Sequence, residues 1–388
     1  MATFDLATKI IQEDHRVWAL HAGRGKRQYE FFSDHSQVFL ELPGISLTED
    51  TFESVHSIRQ HLRMSMEVYR FSSGSVDIPP NRRAESYSGE PAEANVVGEK
   101  GLNAAVGNVC SLYRDAQIGD LVIVPGRGQY NPVLIGEIES NFSEEDGITV
   151  PHFNNEIIPT RRVRWINKNI EKRSFSSPLA KRLENRHAII NIRDGRQNNV
   201  INKLSLEVYR KVYDNFIWGG ESKATFFGNE YQSKNPDGII DTANVIKFLF
   251  AAYIASSRGE INQFSTMESS QAINRYYDTE LINDFSFNFN SPGKIQISAL
   301  RLAAIFVAMG IAVALHDVSF SEAISDLNFL NNNGVTIQLD PELGIEQCQG
   351  YYQGLMEALG EERYNSIKEE CQKANLEMGL STAIGRIN

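Results

Sequence analysis

The stretch AQIGDLVIVPGRGQYNPVLIGEIESNFSEEDGITVPHFNNEIIPTRRVRWIN, residues 116–167, decides the reading of this chain. Ile118-Gly119-Asp120 turns the chain, Leu121 to Val124 forms a short apolar run, and Pro125-Gly126 closes it. Asn131 to Ile138 is a second run of the same type, and Arg161 to Ile166 alternates as a third. Runs this short, rich in Val and Ile and bounded by Gly and Pro, read as strands. A strand turns successive side chains to opposite faces, so Arg162 and Arg164 share one face and Val163 and Trp165 the other. Three strands in one compact segment predict a small barrel or a curled sheet.

Working outward, Val17 to Leu20 is an earlier strand, followed by the cationic, glycine-bearing loop His21-Ala22-Gly23-Arg24-Gly25-Lys26-Arg27. Val38 to Leu42 reads as another strand, and residues 4–13 read as a short helix. Ser46 and Glu49 have capping-box spacing ahead of the stripe Phe52, Val55, Ile58 and Leu62. Val106, Val109, Leu112 and Tyr113 set a second helical stripe that leads into the Gly-Asp turn. Between the stripes, residues 72–103 are rich in Ser, Gly, Pro and Glu and predict a long exposed loop.

The ordered blocks VWALHAGRGKRQYEFF (17–32), GNVCSLYRD (107–115), IGDLVIVP, VLIGEIES and the Arg-rich strand ending in Trp165 resemble the PUA/EVE-like module. Such modules stand at the N-terminus of many Mrr-type and McrBC-type restriction proteins and related phage-defence proteins. The resemblance covers roughly residues 15–167, and the long 72–103 connection departs from it. It implies a nucleic-acid-binding component of a prokaryotic defence or restriction system, holding a base, modified or flipped, in a cavity. DNA is the expected partner ahead of RNA. An extruded base offers faces for stacking and an edge for hydrogen bonds. The candidates for that pocket are Trp18, His21, Tyr29, Phe31, Asn108, Tyr113, Tyr130 and Trp165.

Charge is uneven along the chain. The formal net charge is −11, yet residues 161–200 carry 11 Lys and Arg against 3 Asp and Glu. Such a basic island suits phosphate, because each neutralised phosphate releases counterions. A solvated linker paired with acidic neighbours would look the same in sequence. The phosphate-contact candidates are Arg24, Lys26, Arg27, Arg127, Arg161, Arg162, Arg164, Lys168 and Arg173. Both Gly-Arg-Gly tripeptides, 23–25 and 126–128, place an arginine where the backbone can come close to a ligand.

The chain of 388 residues exceeds one ordinary core, so two domains are expected. The expected plan is α+β: a small barrel with helices over 1–167, a basic linker over 168–200, and a mainly helical domain with a β-hairpin over 201–388. The hairpin signal is the alternation at Phe285, Phe287 and Phe289, a Ser-Pro-Gly turn, then Ile295 and Ile297. The run Leu302 to Leu315 is too short for a bilayer span and reads as a core helix. Val335 to Leu339 reads as a short strand. Three scattered cysteines and no signal-peptide core predict a reducing, cytoplasmic setting with no membrane contact.

Catalysis has little to stand on. The fragment NPDGIID (235–241) with Lys247 resembles half of a nuclease PD…(D/E)xK pattern and lacks the rest. No phosphate-loop, dinucleotide or metalloprotease motif occurs, so no cofactor, metal or catalytic set is expected. Three readings stand: a nucleic-acid-binding module, an effector nuclease with an unrecognised C-terminal site, and a structural subunit of a defence complex. Residues 201–388 are the expected contact for a protein partner or a second copy.

Overall fold

The computed structural model describes residues 2–88, 96–128, 130–185, 187–192, 203–228, 237–288, 293–330 and 345–387. It is mixed α+β, 48% helical and 24% strand. The chain divides into two units, and the division is not the one read from charge. One unit is Asp14–Val212; the other joins Met1–Glu13 to Tyr213–Asn388. The first residues carry strands β1 (Ala2–Asp5) and β2 (Lys9–Ile10) instead of the expected helix. Their partners lie more than two hundred residues away in sequence, out of reach of any local pattern.

The Asp14–Val212 unit is built on a curled six-stranded sheet. Its strands are β3 (Val17–Leu20), β4 (Gln37–Val38), β5 (Leu121–Pro125), β6 (Pro132–Ile138), β9 (Arg161–Glu171) and β10 (Ile189–Asn191), in the order β10-β3-β5-β6-β9-β4. Two further short strands, β7 (Gly147–Thr149) and β8 (Ile157–Pro159), pair with each other. Strands β3 and β5 run parallel, with Trp18 opposite Val122, and the other neighbours are antiparallel. The three strands expected in the 116–167 stretch are thus β5, β6 and β9, side by side, and the same stretch also holds the unexpected pair β7 and β8.

Helices α1 (Tyr29–His35), α2 (Glu49–Glu53), α3 (Val55–Ser72) and α4 (Val96–Val109) belong to the same unit. Thr48, not Ser46, caps α2, exchanging hydrogen bonds with Thr51. Trp18, Leu20, Val122, Val124, Leu134 and Val163 point to one face and join a core with Ile58, Leu62, Val106 and Tyr113 from the helices. The alternate residues Val17, Ala19, Leu121, Ile123, Val133 and Ile135 are buried as well, so the central strands are covered on both faces.

The expected 72–103 loop is irregular and largely exposed over residues 73–83, and helical at 84–87 and from Val96. Residues 84–87 form a 3₁₀ turn with Ala84 buried, Arg63 donates to the Tyr87 carbonyl at 3.1 Å, and Arg82 pairs with Glu156 at 2.6 Å. Helix α4 begins at Val96, and residues 89–95 lie outside the described residues. As far as Ile192 the expected linker holds regular elements; residues 193–202 lie outside the described residues. Residues 168–171 finish β9, then α5 (Ser177–Leu183) and β10 follow, with α6 (Lys203–Val212) closing the unit.

The other unit holds more sheet than a single hairpin. Its strands are β11 (Phe216–Trp218), β12 (Glu221–Gly228), β13 (Ile282–Asn288), β14 (Gly293–Leu300), β15 (Leu327–Leu330), β16 (Leu380–Thr382) and β17 (Gly385–Ile387). The expected hairpin is β13-β14, and it is one edge of the sheet β13-β14-β12-β11-β2, with β16 also on β12. A second sheet runs β15-β1-β17. Its helices are α7 (Asp237–Ser257), α8 (Ile261–Ser265), α9 (Ser269–Tyr276), α10 (Ala303–Leu315), α11 (Phe320–Ser325) and α12 (Ile345–Met378), the last broken at Gly360. Helix α10, the 302–315 run, is buried on every side except at its last residue. Within α7, Ile239–Ser257 is long and apolar enough to cross a membrane by composition, and its side chains supply much of this unit's core. Val335 to Leu339 lies outside the described residues.

Candidate functional site

The loop after β3 is folded back on itself by local hydrogen bonds. Gly23 N–H donates to the His21 carbonyl at 2.8 Å, Lys26 N–H to Gly23 at 3.0 Å, and Gln28 N–H to Ala22 at 3.0 Å. Gly23 has φ 71°, and a Cβ there would sit 2.1 Å from Glu41 Oε1, so no other residue fits without displacing that carboxylate. Glu41 is held by a fork: Arg27 Nε at 2.6 Å, Arg27 Nη2 at 2.8 Å and Gln28 Nε2 at 3.0 Å. Arg27 also lies 5.2 Å over the Phe153 ring and donates to Tyr69 Oη.

The two Gly-Arg-Gly tripeptides meet. Lys26 Nζ donates to the Gly126 carbonyl, and Arg127 Nε donates to the Gly25 carbonyl at 2.8 Å. Arg127 therefore ties two loops together, and Arg27 anchors Glu41. Arg24 makes no side-chain hydrogen bond or ion pair among the described residues.

Beside this loop lies a cavity of about 640 Å³, lined by His21, Arg24, Lys26, Leu40, Glu41 and Asn108, with Gly23, Gly25, Leu42, Ala105 and Ala188 completing the wall. That volume falls within the range of small-molecule sites. Of the sequence candidates, His21, Arg24, Lys26 and Asn108 come together here. Glu41, Leu40, Leu42 and Ala188 were not anticipated; a carboxylate two residues after the buried pair Val38-Phe39 gave no signal of its own.

Burial pulls the His21 imidazole below its usual pKa, nearby Lys26 and Lys172 add to that, and the Asn185 backbone pulls the other way. Its Nε2 is buried without a hydrogen-bond partner. Burial, together with Lys172, lowers the Lys26 ammonium to about 8, against a smaller opposing pull from Glu184. Lys172 is itself buried and pairs with Glu184 at 3.2 Å.

The aromatic candidates go elsewhere. Trp18 is core, and its indole Nε1 donates to Asp120 Oδ2 at 2.8 Å; that carboxylate also accepts from the Arg16 and Gln117 backbone. Tyr113 is 3% exposed, donating to the Pro159 carbonyl at 2.8 Å and accepting from Leu40 N–H at 3.2 Å. Trp165 packs against the same core and donates to the Phe32 carbonyl at 2.9 Å. None of the three lines the cavity; each packs in or against the core. Tyr29 donates to the Pro132 carbonyl at 2.9 Å, and burial, then Glu30, raises its pKa to about 12. Phe31 stacks on His35 and meets Phe39 edge-on. Tyr130 is exposed, with Arg173 5.1 Å over its ring.

The basic strand is largely neutralised. Arg162 pairs with Asp146 at 2.8 Å, Arg164 with Glu137 at 2.6 Å, and Arg173 with Glu171. Lys168 donates to the Ser33 carbonyl at 2.6 Å. Arg161 is fully buried: Nη1 donates to the Leu112 and Ala116 carbonyls at 2.8 and 3.1 Å, and Nη2 to Ala116 and Ser140 at 3.1 and 2.8 Å. It is a structural clamp on the π-helical turn Cys110–Asp115, not a phosphate contact.

In the other unit, Asp241 lies on α7 and pairs with Lys373 at 2.8 Å, while Lys294 pairs with Asp214 at 3.3 Å. The start of the NPDGIID fragment lies outside the described residues. Among the described residues no cluster of three His, Cys, Asp or Glu side chains is placed to hold a metal. No family model, no curated protein and no solved structure matches the chain.

Proposed function

We propose that the Asp14–Val212 unit is a nucleic-acid-binding module that takes one nucleotide into the cavity beside the Gly-Arg-Gly loop. The observation that carries this reading is the company in that cavity. Two cations without carboxylate partners at ion-pair distance, Arg24 and Lys26, stand beside the His21 imidazole and the Asn108 amide. Phosphate needs the first pair, and a base edge needs the second. The apolar walls from Leu40, Leu42, Ala105 and Ala188 give the base a dry surface in place of the stacking aromatics. The ordered blocks that resemble the PUA/EVE-like module support the same class of ligand, and a role within a restriction or phage-defence system rests on that resemblance alone.

The test is a titration with single-stranded DNA, duplex DNA and RNA at two salt concentrations. A phosphate-contacting module must lose affinity as salt rises, by a slope set by the phosphates neutralised. Replacing Arg24 with Gln should reduce that slope by about one. Absence of binding to all three, or affinity indifferent to salt, refutes the reading.

A further inference from the structure

We infer that the cavity recognises the end of a strand, taking a terminal phosphomonoester between Arg24 and Lys26; this rests on the nucleic-acid reading above. Three observations point to an end. First, the charges around the cavity do not cancel. Glu41 is occupied by Arg27 and Gln28, and Glu184 by Lys172, which leaves Arg24 and Lys26 uncompensated. A phosphomonoester carries close to two negative charges at neutral pH, whereas an internal diester carries one. Second, the loop that lines the cavity is fastened to the Gly126-Arg127-Gly128 loop behind it by the Lys26–Gly126 and Arg127–Gly25 bonds. A strand cannot thread between them, so it can enter but not run on through that side. Third, Arg24 and Lys26 supply the guanidinium and ammonium of the lining, whose remaining wall is mainly Leu40, Leu42, Ala105, Asn108 and Ala188 beside the engaged Glu41, so a second phosphate would find no further lysine or arginine there.

The groups that face Lys26 are Lys172, which follows β9, Glu184 at the end of α5, His21 at the end of β3, and the Gly126 carbonyl. Burial and Lys172 set the ammonium to release its proton near pH 8. A bound dianion attracts the ammonium, outweighs both effects and holds the proton on. Affinity for the phosphate end should therefore fall as pH rises above about 8, while affinity for a hydroxyl end stays flat over that range.

The experiment is calorimetry on the full chain with one short single strand in three forms: 5′-phosphorylated, 3′-phosphorylated and hydroxyl-ended. The matching free mononucleotide is a fourth ligand. One phosphorylated form should bind about 10- to 100-fold more tightly than the hydroxyl form, the worth of one or two charge-assisted hydrogen bonds. The gain should vanish in Lys26→Gln and shrink in Arg24→Gln, an exposed change that leaves folding untouched; a thermal melt of each variant checks this. If the mononucleotide binds as tightly as the strand, the phosphate-end site stands and its source is the free nucleotide. Equal binding of all three strands overturns this inference and leaves the nucleic-acid reading intact. Binding of no strand while the mononucleotide binds supports the site and overturns the strand reading; binding of no ligand overturns both.

Discussion

Replacing Arg161 with Met should unfold the Asp14–Val212 unit far more readily, without any direct effect on ligand. The guanidinium bonds three carbonyls, Leu112, Ala116 and Ser140, from a fully buried position. Carbonyls at the end of a helix have no partner of their own, and a cation there also suits the helix dipole. Methionine fills a similar space and donates nothing. Each orphaned buried carbonyl costs about 1–3 kcal/mol. Part of that is offset by no longer burying a charge, which already lowers the Arg161 pKa, with Asp120, Tyr113 and Asp146 opposing. The net loss should be about 3–5 kcal/mol, the range for breaking a buried charged cluster. In urea this moves the midpoint down by about 1–2 M. Trp18 and Trp165 lie in this unit and report its transition by fluorescence. Arg162→Gln, at an exposed pair with Asp146, should change stability by less than about 1 kcal/mol. If Arg161→Met melts like the parent chain but loses nucleic-acid affinity, the clamp is wrong and the arginine is a phosphate contact after all.

Gly23→Ala should cost about 1–3 kcal/mol through its positive φ and lower affinity for any cavity ligand, because the new methyl displaces Glu41; paired melts and titrations would show it. Tyr113→Phe should lower stability by about 1–3 kcal/mol, since its hydroxyl serves two buried backbone groups, and leave binding unchanged. A fragment 14–212 should unfold cooperatively on its own, whereas 1–170 should not, lacking α5, β10 and α6; circular dichroism melts decide between the cuts. Without ligand, Lys26 holds its proton less well folded than unfolded, so its contribution to stability should rise as pH climbs from about 8 towards 10.5. Comparing the pH dependence of the parent with Lys26→Gln isolates it.

The strands β5, β6 and β9 were legible because each is bounded by turn residues and paired with a near neighbour. So was the outward face of Arg162 and Arg164. The same alternation already puts Arg161 inside with Val163; its charge argued otherwise, and three backbone carbonyls overrode the charge. His21, Arg24, Lys26 and Asn108 could be picked from the sequence because glycine and cations mark the loop. The stacking role for Trp18 and Tyr113 failed on a point that no spacing reveals: whether the polar tip of a ring finds a partner in the core. Asp120 answers for Trp18, and the Pro159 carbonyl with Leu40 N–H answers for Tyr113. The strand at Ala2–Asp5 was misread because its partners, Leu327–Leu330 and Gly385–Ile387, are remote in sequence.

Strand β1 lies between β15 and β17, parallel to one and antiparallel to the other. On the ribosome those first residues emerge long before either neighbour exists. The whole of Asp14–Val212 can collapse first, while the leading thirteen residues wait with their backbone groups unpaired. Contacts spanning most of the chain are slow to form, since loop closure must come before any gain from pairing. The waiting strand is therefore a place where a growing chain could pair with the wrong neighbour. Cutting away those few residues from a finished protein would remove the middle of a sheet, not an appendage, and should harm the distant end of the chain before it touches the cavity.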